Sequence, residues 1–241
     1  MNVMEADRSA ETREATRTRL LAAIPASYSP WLHLAATTGF GLVLLAAGAY
    51  FLRDVRPLEW LVVPAMLLVS NFIEWFAHKS LLHVRRRFFE PLYEQHTPGH
   101  HKAYHEADMA ITDWRELKLV LMPSVGLVAV IIALAPIAAI FGLLVTSNAA
   151  WLALVSAGSY LVSYELLHLA YHLPAGHPIA KLGVIRFLAR HHGRHHDPQL
   201  MQRWNFNVTV PLFDWLLGTT WSAARESARA QTARKNVSKI A

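Results

Sequence analysis

The sequence predicts an all-α integral membrane protein, with about four transmembrane helices and a cytosolic helical cap holding a histidine-rich dimetal site. Composition is the first reason. Of the 241 residues, 54% are hydrophobic and 17% charged, and mean hydropathy is +0.24. A soluble domain sits near 45–50% apolar and about 25% charged. The second reason is a set of charge-free runs that meet or exceed the roughly 20 residues needed to cross a hydrocarbon core. The third is histidine. The chain has 14, and most fall in four tight groups at the ends of those runs, the densest being RHHGRHHDP from Arg190 to Pro198.

Taken in order, residues 1–30 read as a polar N-terminal tail, with a short interfacial helix ending at Pro25 and no cleavable apolar core. Residues 31–222 form the membrane domain. Trp31 to Leu52 is a first span without a charged residue. Arg53, Asp54 and Arg56 with Pro57 make a tight connector, and Leu58 to Ala77 is a second span whose end carries Asn71, Glu74 and His78. His78 to Leu117 is polar and aromatic, with Lys79, Arg85, Arg86, Arg87 and Lys102. Leu119 to Tyr164 carries no charge and is too long for one span, so it divides into two, with the break expected near Pro136 to Asn148. The last of these helices continues through Glu165, His168 and His172 to Pro174. Residues 223–241 read as a basic C-terminal tail.

Four spans put both termini on one side of the membrane. That side also carries the His78–Leu117 stretch and nearly all the Lys and Arg, which makes it cytoplasmic by the positive-inside rule. The membrane is then a bacterial inner membrane or, in a eukaryote, the endoplasmic reticulum. The formal charge of +6 meets anionic headgroups there, and no nucleic-acid partner is expected. The absence of cysteine removes disulfides, thiolate metal sites and iron–sulfur clusters.

Every histidine group falls on that one face. His78 and His83 are five apart, about 140° on an ideal α-helix, so they reach one centre only if the helix ends or bulges between them. In HTPGHH, Pro98 and Gly99 interrupt a helix, and His96 and His100 could share one ion while His101 reaches another. His168 and His172 lie four apart on a strongly predicted helix, and His192, His195 and His196 share one helical face. The series is H-x4-H, H-x3-HH, H-x3-H, H-x2-HH. Ten imidazoles exceed the four of a closed zinc site or the six of one octahedral ion, so two ions are the simplest count. His33 reads as an interfacial packing residue, and His105, His177 and His191 lie outside the spacings.

These spacings resemble those of the fatty acid hydroxylase / sterol desaturase superfamily of membrane histidine-box di-iron oxygenases. LYEQHTPGHHKAYHEADMAI and WNFNVTVPLFDWLLGT are similar to that family too, and the similarity covers about residues 55 to 220. The second box departs from it, with three residues before its HH where many members have two. The resemblance implies two irons held by His78, His83, His96, His100, His101, His168, His172, His192, His195 and His196, with zinc as a possible substitute in purified protein. It also implies O2-dependent oxidation of a lipid C–H bond, the lipid being fatty acyl, sterol-like or isoprenoid.

Imidazole suits iron, zinc and copper, so the thiolate-free shells agree with the iron that the resemblance implies without selecting it. Such a reaction consumes two electrons, and the chain has no glycine-rich dinucleotide fingerprint and no cysteine for a cluster. A separate donor is therefore expected, ferredoxin-like or cytochrome b5-like with a reductase. Arg85, Arg86, Arg87 and Arg194 are candidates for docking it. Glu74, Glu165, Asp197, Asp108 and Asn205 or Asn207 are candidates to orient ligands or a water, and Trp75, Phe76, Tyr164 and Tyr171 to line the substrate's path. A desaturase of the same superfamily is the near alternative. A histidine-rich metal transporter is the distant one and predicts ionisable residues at mid-membrane depth, which the charge-free middle spans do not offer. A zinc hydrolase needs about three protein ligands, and ten histidines are too many.

Overall fold

The structure is a computed structural model and describes residues 14–237. Four of its helices are long and apolar enough to cross a membrane. α1 (Pro30–Phe51) starts where Ser29 caps the Leu32 amide and Pro30 occupies the first turn, a proline position that costs no hydrogen bond. α2 (Val62–Ala77) is continuous with a 3-10 turn before it, Pro57–Leu61, and a π-turn after it, His78–Leu82, and together they make the span Pro57–Leu82. α3 (Ser124–Leu144) and α4 (Ser147–Tyr171) complete the set. α1 and α3 have no polar face, and Leu42, Val43, Leu45, Val125, Ile132, Leu143 and Leu144 stay exposed on them. A helix apolar all round finds its solvent in lipid. Among the described residues there is no β-strand, only an isolated bridge between His105 and Asp108.

α4 is the central post and packs on the other three spans. Its approach to α1 is close because glycine stands at the crossing. A Cβ at Gly48 would lie 2.5 Å from Val155 Cγ2, and one at Gly158 would collide with Leu44. Small residues at such crossings let backbones approach where lipid supplies no hydrophobic drive. The break between α3 and α4 is Val145–Thr146, at the far end of the expected interval; Pro136 lies inside α3. A membrane helix tolerates that proline because neighbouring groups can satisfy the freed carbonyl. The far connectors are tied by buried Glu59, which accepts from the Arg56 amide (2.7 Å), Thr146 Oγ1 (2.6 Å) and Asn148 Nδ2 (3.3 Å).

The opposite end carries a cap of short turns between α2 and α3, then α5 (Gly183–His195), the turn Leu212–Leu216 and α6 (Ala223–Val237). The stretch 223–241 is thus helical as far as residue 237, with Glu226 accepting from Trp204 Nε1 at 2.5 Å. Residues 238–241, and residues 1–13 of the N-terminal stretch, lie outside the described residues. Residues 14–22 are helical and reach into the cap. There Arg17 Nε and Nη2 donate to Glu116 Oε2 at 2.8 and 2.5 Å, and Nη2 also reaches the Ala110 carbonyl at 2.7 Å. Tyr104 OH donates to the same Glu116 oxygen at 2.7 Å, while Thr112 and the Asp113 amide hold Oε1.

Because Glu116 is fully buried, removing its counter-charge strands a carboxylate. Arg17→Ala should lower stability by about 3 kcal/mol or more, read as the unfolding midpoint of the detergent-solubilised protein. A change within measurement error would show that the pair is dispensable.

Candidate metal centre

All ten box histidines come together beneath the cap, and all are buried. They sort into two groups of five: His78, His83, His96, His101 and His195, and His100, His168, His172, His192 and His196. Within each group the candidate ligand atoms lie within 4.8 Å of one another. His101 and His196 stack with ring centroids 4.2 Å apart, joining the groups into one body.

Local backbone geometry explains the sorting. The five-residue offset of His78 and His83 is accommodated by a π-helical turn, His78–Leu82, that extends α2. A π-turn closes i to i+5, so it aligns side chains an α-helix would splay. The same device recurs at Gln95–His100, which contains Pro98 and brings His96 together with His101. The expected sharing of one ion by His96 and His100 is therefore corrected. His96 and His101 share a group, and His100 turns to the other. His168 and His172 use the ordinary four-residue offset at the end of α4, as do His192 and His196 at the end of α5. His195, one residue from His196, crosses to the first group.

Six imidazoles have their Nδ1 engaged by oxygen. His78 bonds the Phe206 carbonyl at 2.5 Å, His100 that of Leu119 at 3.0 Å, and His172 that of Met109 at 2.6 Å. His195 bonds the Trp204 carbonyl at 2.9 Å and His196 that of Tyr104 at 2.8 Å. His83 Nδ1 lies 3.1 Å from Thr97 Oγ1, whose own proton goes to the Leu82 carbonyl, so His83 is the donor there. A carbonyl accepts only, so each such neutral ring carries its proton on Nδ1 and leaves Nε2 as a bare lone pair.

Those lone pairs converge. His83 Nε2 and His195 Nε2 face each other at 2.8 Å, and neither has a proton to give. Nε2 pairs also stand at 2.9 Å for His78 with His96 and for His192 with His196, and at 3.1 Å for His96 with His101 and His100 with His168. Two nitrogens on one ion at about 2.0–2.1 Å from it are spaced by roughly 3 Å. Protonation is the other way to relieve opposed lone pairs, and burial works against it. It pushes the His83 pKa down to about 2 and holds those of His96, His100, His101, His172, His192, His195 and His196 well below 6.5. His172 Nε2, whose ring proton is spent on Met109, has no partner at all. This donor set fits a metal ion in each group.

The polar residues expected around the ligands act one step further out. Glu74 accepts from the Thr209 amide (3.0 Å), Thr209 Oγ1 (2.6 Å), the Val208 amide and Tyr160 OH, and touches no imidazole. Glu165 accepts from the Met122 amide at 2.7 Å, Asp197 caps the Gln199 amide at 2.8 Å, and Asp108 meets Arg17. Asn207 ties the Asn71 carbonyl and the Asp214 amide. Asn205 adopts φ +58°, a left-handed conformation that asparagine tolerates. Its side chain bonds the His191 carbonyl and the Trp221 amide. That turn aims the flanking carbonyls of Trp204 and Phe206 at His195 and His78. Orientation thus comes from carbonyls and Thr97, where carboxylates were expected, because a carbonyl fixes a tautomer without adding buried charge.

Sequence reading missed Asp214. It is fully buried and holds the Phe206 amide (3.0 Å), the Asn207 amide (2.8 Å), Thr219 Oγ1 (2.6 Å) and His191 Nε2 (3.0 Å). Its trace in the sequence is a single acid inside the apolar stretch VPLFDWLLG. His33 lies outside the groups, between Tyr28 OH and the Met122 carbonyl.

A four-span helical membrane protein with paired histidine clusters able to hold metal is the class that this fold and site define. Residues 63–219 match the Fatty acid hydroxylase family, and the chain belongs to that family. With membership comes a lipid-hydroxylase type of function and an oxidoreductase type of enzyme. Among solved structures, the visible hydroxylase domain of full-length Scs7p is similar in fold. It is 18% identical, with a TM-score of 0.55 over 80% of this chain and 67% of that one. No curated protein sequence matches this chain significantly.

Acid should destabilise the protein once a chelator has stripped its metal. Histidine in the unfolded chain titrates near 6.5, and the buried rings titrate lower. Below 6.5 the unfolded state therefore binds more protons, and stability falls as pH falls. The melting midpoint of chelated protein should drop steeply between about pH 7 and about pH 5, and that of metal-loaded protein much less. Parallel curves would remove the histidine clusters as the cause.

Proposed function

We propose that this chain is an O2-dependent lipid hydroxylase with one iron at each histidine group, working on the cytoplasmic face. The opposed Nε2 lone pairs of His83 and His195 support the reading, since a cation between them would relieve the contact. Iron held there supplies the O2 activation that oxidation of an unactivated C–H bond requires. The chain's own part is to hold and aim. Carbonyls 104, 109, 119, 204 and 206 keep five Nε2 lone pairs turned inward, and the cap seals the centre from water.

A slender cavity of about 50 Å³ reaches both groups, with His96 on one and His100 and His168 on the other lining it. Its remaining wall is mostly apolar, with Leu82, Leu92, Leu119, Val120 and Met122, and is completed by Tyr164, Gln95 and Glu165. Such a slot suits a single hydrocarbon chain arriving from the bilayer. Trp75 lies elsewhere, its Nε1 bonded to Thr219, and Tyr171 OH is spent on the Val208 carbonyl. The transporter alternative draws no support from α3, which has no ionisable residue along its length.

Electrons come from a separate carrier. Of the arginines considered for docking it, Arg85 pairs with Glu90 and Glu94, and Arg194 with Glu106. Arg86 and Arg87 form no ion pair among the described residues, and they lie beside exposed Phe88. They support an acidic donor surface. In assays with a ferredoxin or cytochrome b5, Arg86→Glu with Arg87→Glu should raise the KM for donor about tenfold and leave kcat near wild type. An unchanged KM would move the docking surface elsewhere.

The central test compares lipids by mass spectrometry from cells expressing the wild type or His192→Ala, with bound metal counted in each purified protein. A lipid class that gains one oxygen atom only with wild type, on protein holding two iron equivalents, is the expected result. A class losing two hydrogens would make the enzyme a desaturase. Equal lipids from both proteins would sink the ligand assignment.

A further inference from the structure

α5 carries Arg186, Arg190 and Arg194 at four-residue intervals, hence on one face. All three line a cleft of about 420 Å³ between α5 and the end of α4. Its one acidic wall residue, Glu106, is engaged by Arg194 at 3.2 Å, and the Arg194 guanidinium also stacks on Trp221. Arg186 and Arg190 have no ion-pair partner among the described residues. The rest of the wall is mostly apolar, including Met109, Ala170, Leu173, Ala180 and Ile185.

A second cleft, about 600 Å³, lies on the outer face of α4. It shares Ala170, Leu173 and Ile185 with the first, so the two meet across one wall. Leu34, Leu166 and Leu169 make it apolar, and Trp31 and Trp114 stand at its edge with ring centroids 5.0 Å apart. Paired tryptophans are typical of the membrane–water boundary. Exposed Ile179, Leu182, Val184 and Phe187 put the start of α5 at the same level. None of the ten clustered histidines lines either cleft.

We propose that these joined clefts bind an anionic phospholipid, its phosphate between Arg186 and Arg190 and an acyl chain along the outer face of α4. Charge complementarity selects the occupant. Two uncompensated guanidiniums line a cleft that shares one wall with an apolar trough, and one molecule with an anionic head and an apolar tail satisfies both. A zwitterionic lipid fills the trough and leaves the arginines less well matched. None of the ten clustered histidines lines the site, so lipid retention can be read without turnover.

The test uses full-length protein in nanodiscs of phosphatidylcholine doped with phosphatidylglycerol, then native mass spectrometry of lipids retained after mild delipidation. Wild type should retain phosphatidylglycerol over phosphatidylcholine. Arg186→Gln with Arg190→Gln should cut that preference about tenfold or more, and Arg186→Lys with Arg190→Lys should keep most of it. Equal retention of the two lipids by wild type, a readout needing no variant, would overturn the proposal. So would an undiminished preference in the Gln pair. Loss of phosphatidylglycerol to millimolar inorganic phosphate alone would reassign the arginines to a small free anion and overturn the lipid site.

Discussion

Neutral imidazoles buried with their Nδ1 protons already spent are the constraint on which the rest of this structure depends. Five backbone carbonyls and one threonine hydroxyl take those protons on six of the rings, and where two of the six meet, at His83 and His195, bare Nε2 lone pairs face each other at 2.8 Å. A cation placed between the rings would relieve such a convergence. Burial keeps the cation from being a proton, because charging any of these rings without water is costly. The buried clusters are thus better suited to a metal than to protonation.

That requirement explains features that otherwise look unrelated. Two π-turns occur where histidines are five apart, and each returns a ring that an α-helix would send elsewhere. Asn205 takes a left-handed turn, and the carbonyls on either side of it, those of Trp204 and Phe206, address different histidines. Asp214 and Glu74 spend their oxygens on the amides of the 206–209 loop, holding the carbonyl side of that loop toward the rings. The carboxylates stabilise the scaffold, and the scaffold orients the ligands. Arg17 extends the same logic. Through Glu116 and Ala110 it braces the segment whose Tyr104 and Met109 carbonyls hold His196 and His172.

The membrane and the site divide the work along the helix axes. At the far end, Glu59 with Thr146 and Asn148 closes the connectors, and glycines let α1 lie close on α4. This leaves α4 a rigid post whose last turn delivers His168 and His172. The lipid-facing leucines and valines suit that post to the bilayer, with the histidine groups at its end.

By itself the sequence determined the helical membrane architecture, because charge-free runs of spanning length have few other stable outcomes. It also determined which ten histidines gather, since their spacings and common membrane face are written in the chain. It did not determine how the ten divide. An offset of five is ambiguous until the helix type is known, and π-turns at His78 and Gln95 arise from packing under the cap. Nor did it show what orients the rings. Carbonyl groups occur at every residue, so the choice of Tyr104, Met109, Leu119, Trp204 and Phe206 leaves no mark in side-chain identity. Asp214 was equally hidden, being one acid among apolar neighbours until the fold brought four donors to it. Only tertiary structure decides such contacts, because they join segments far apart in the chain through the backbone that all residues share.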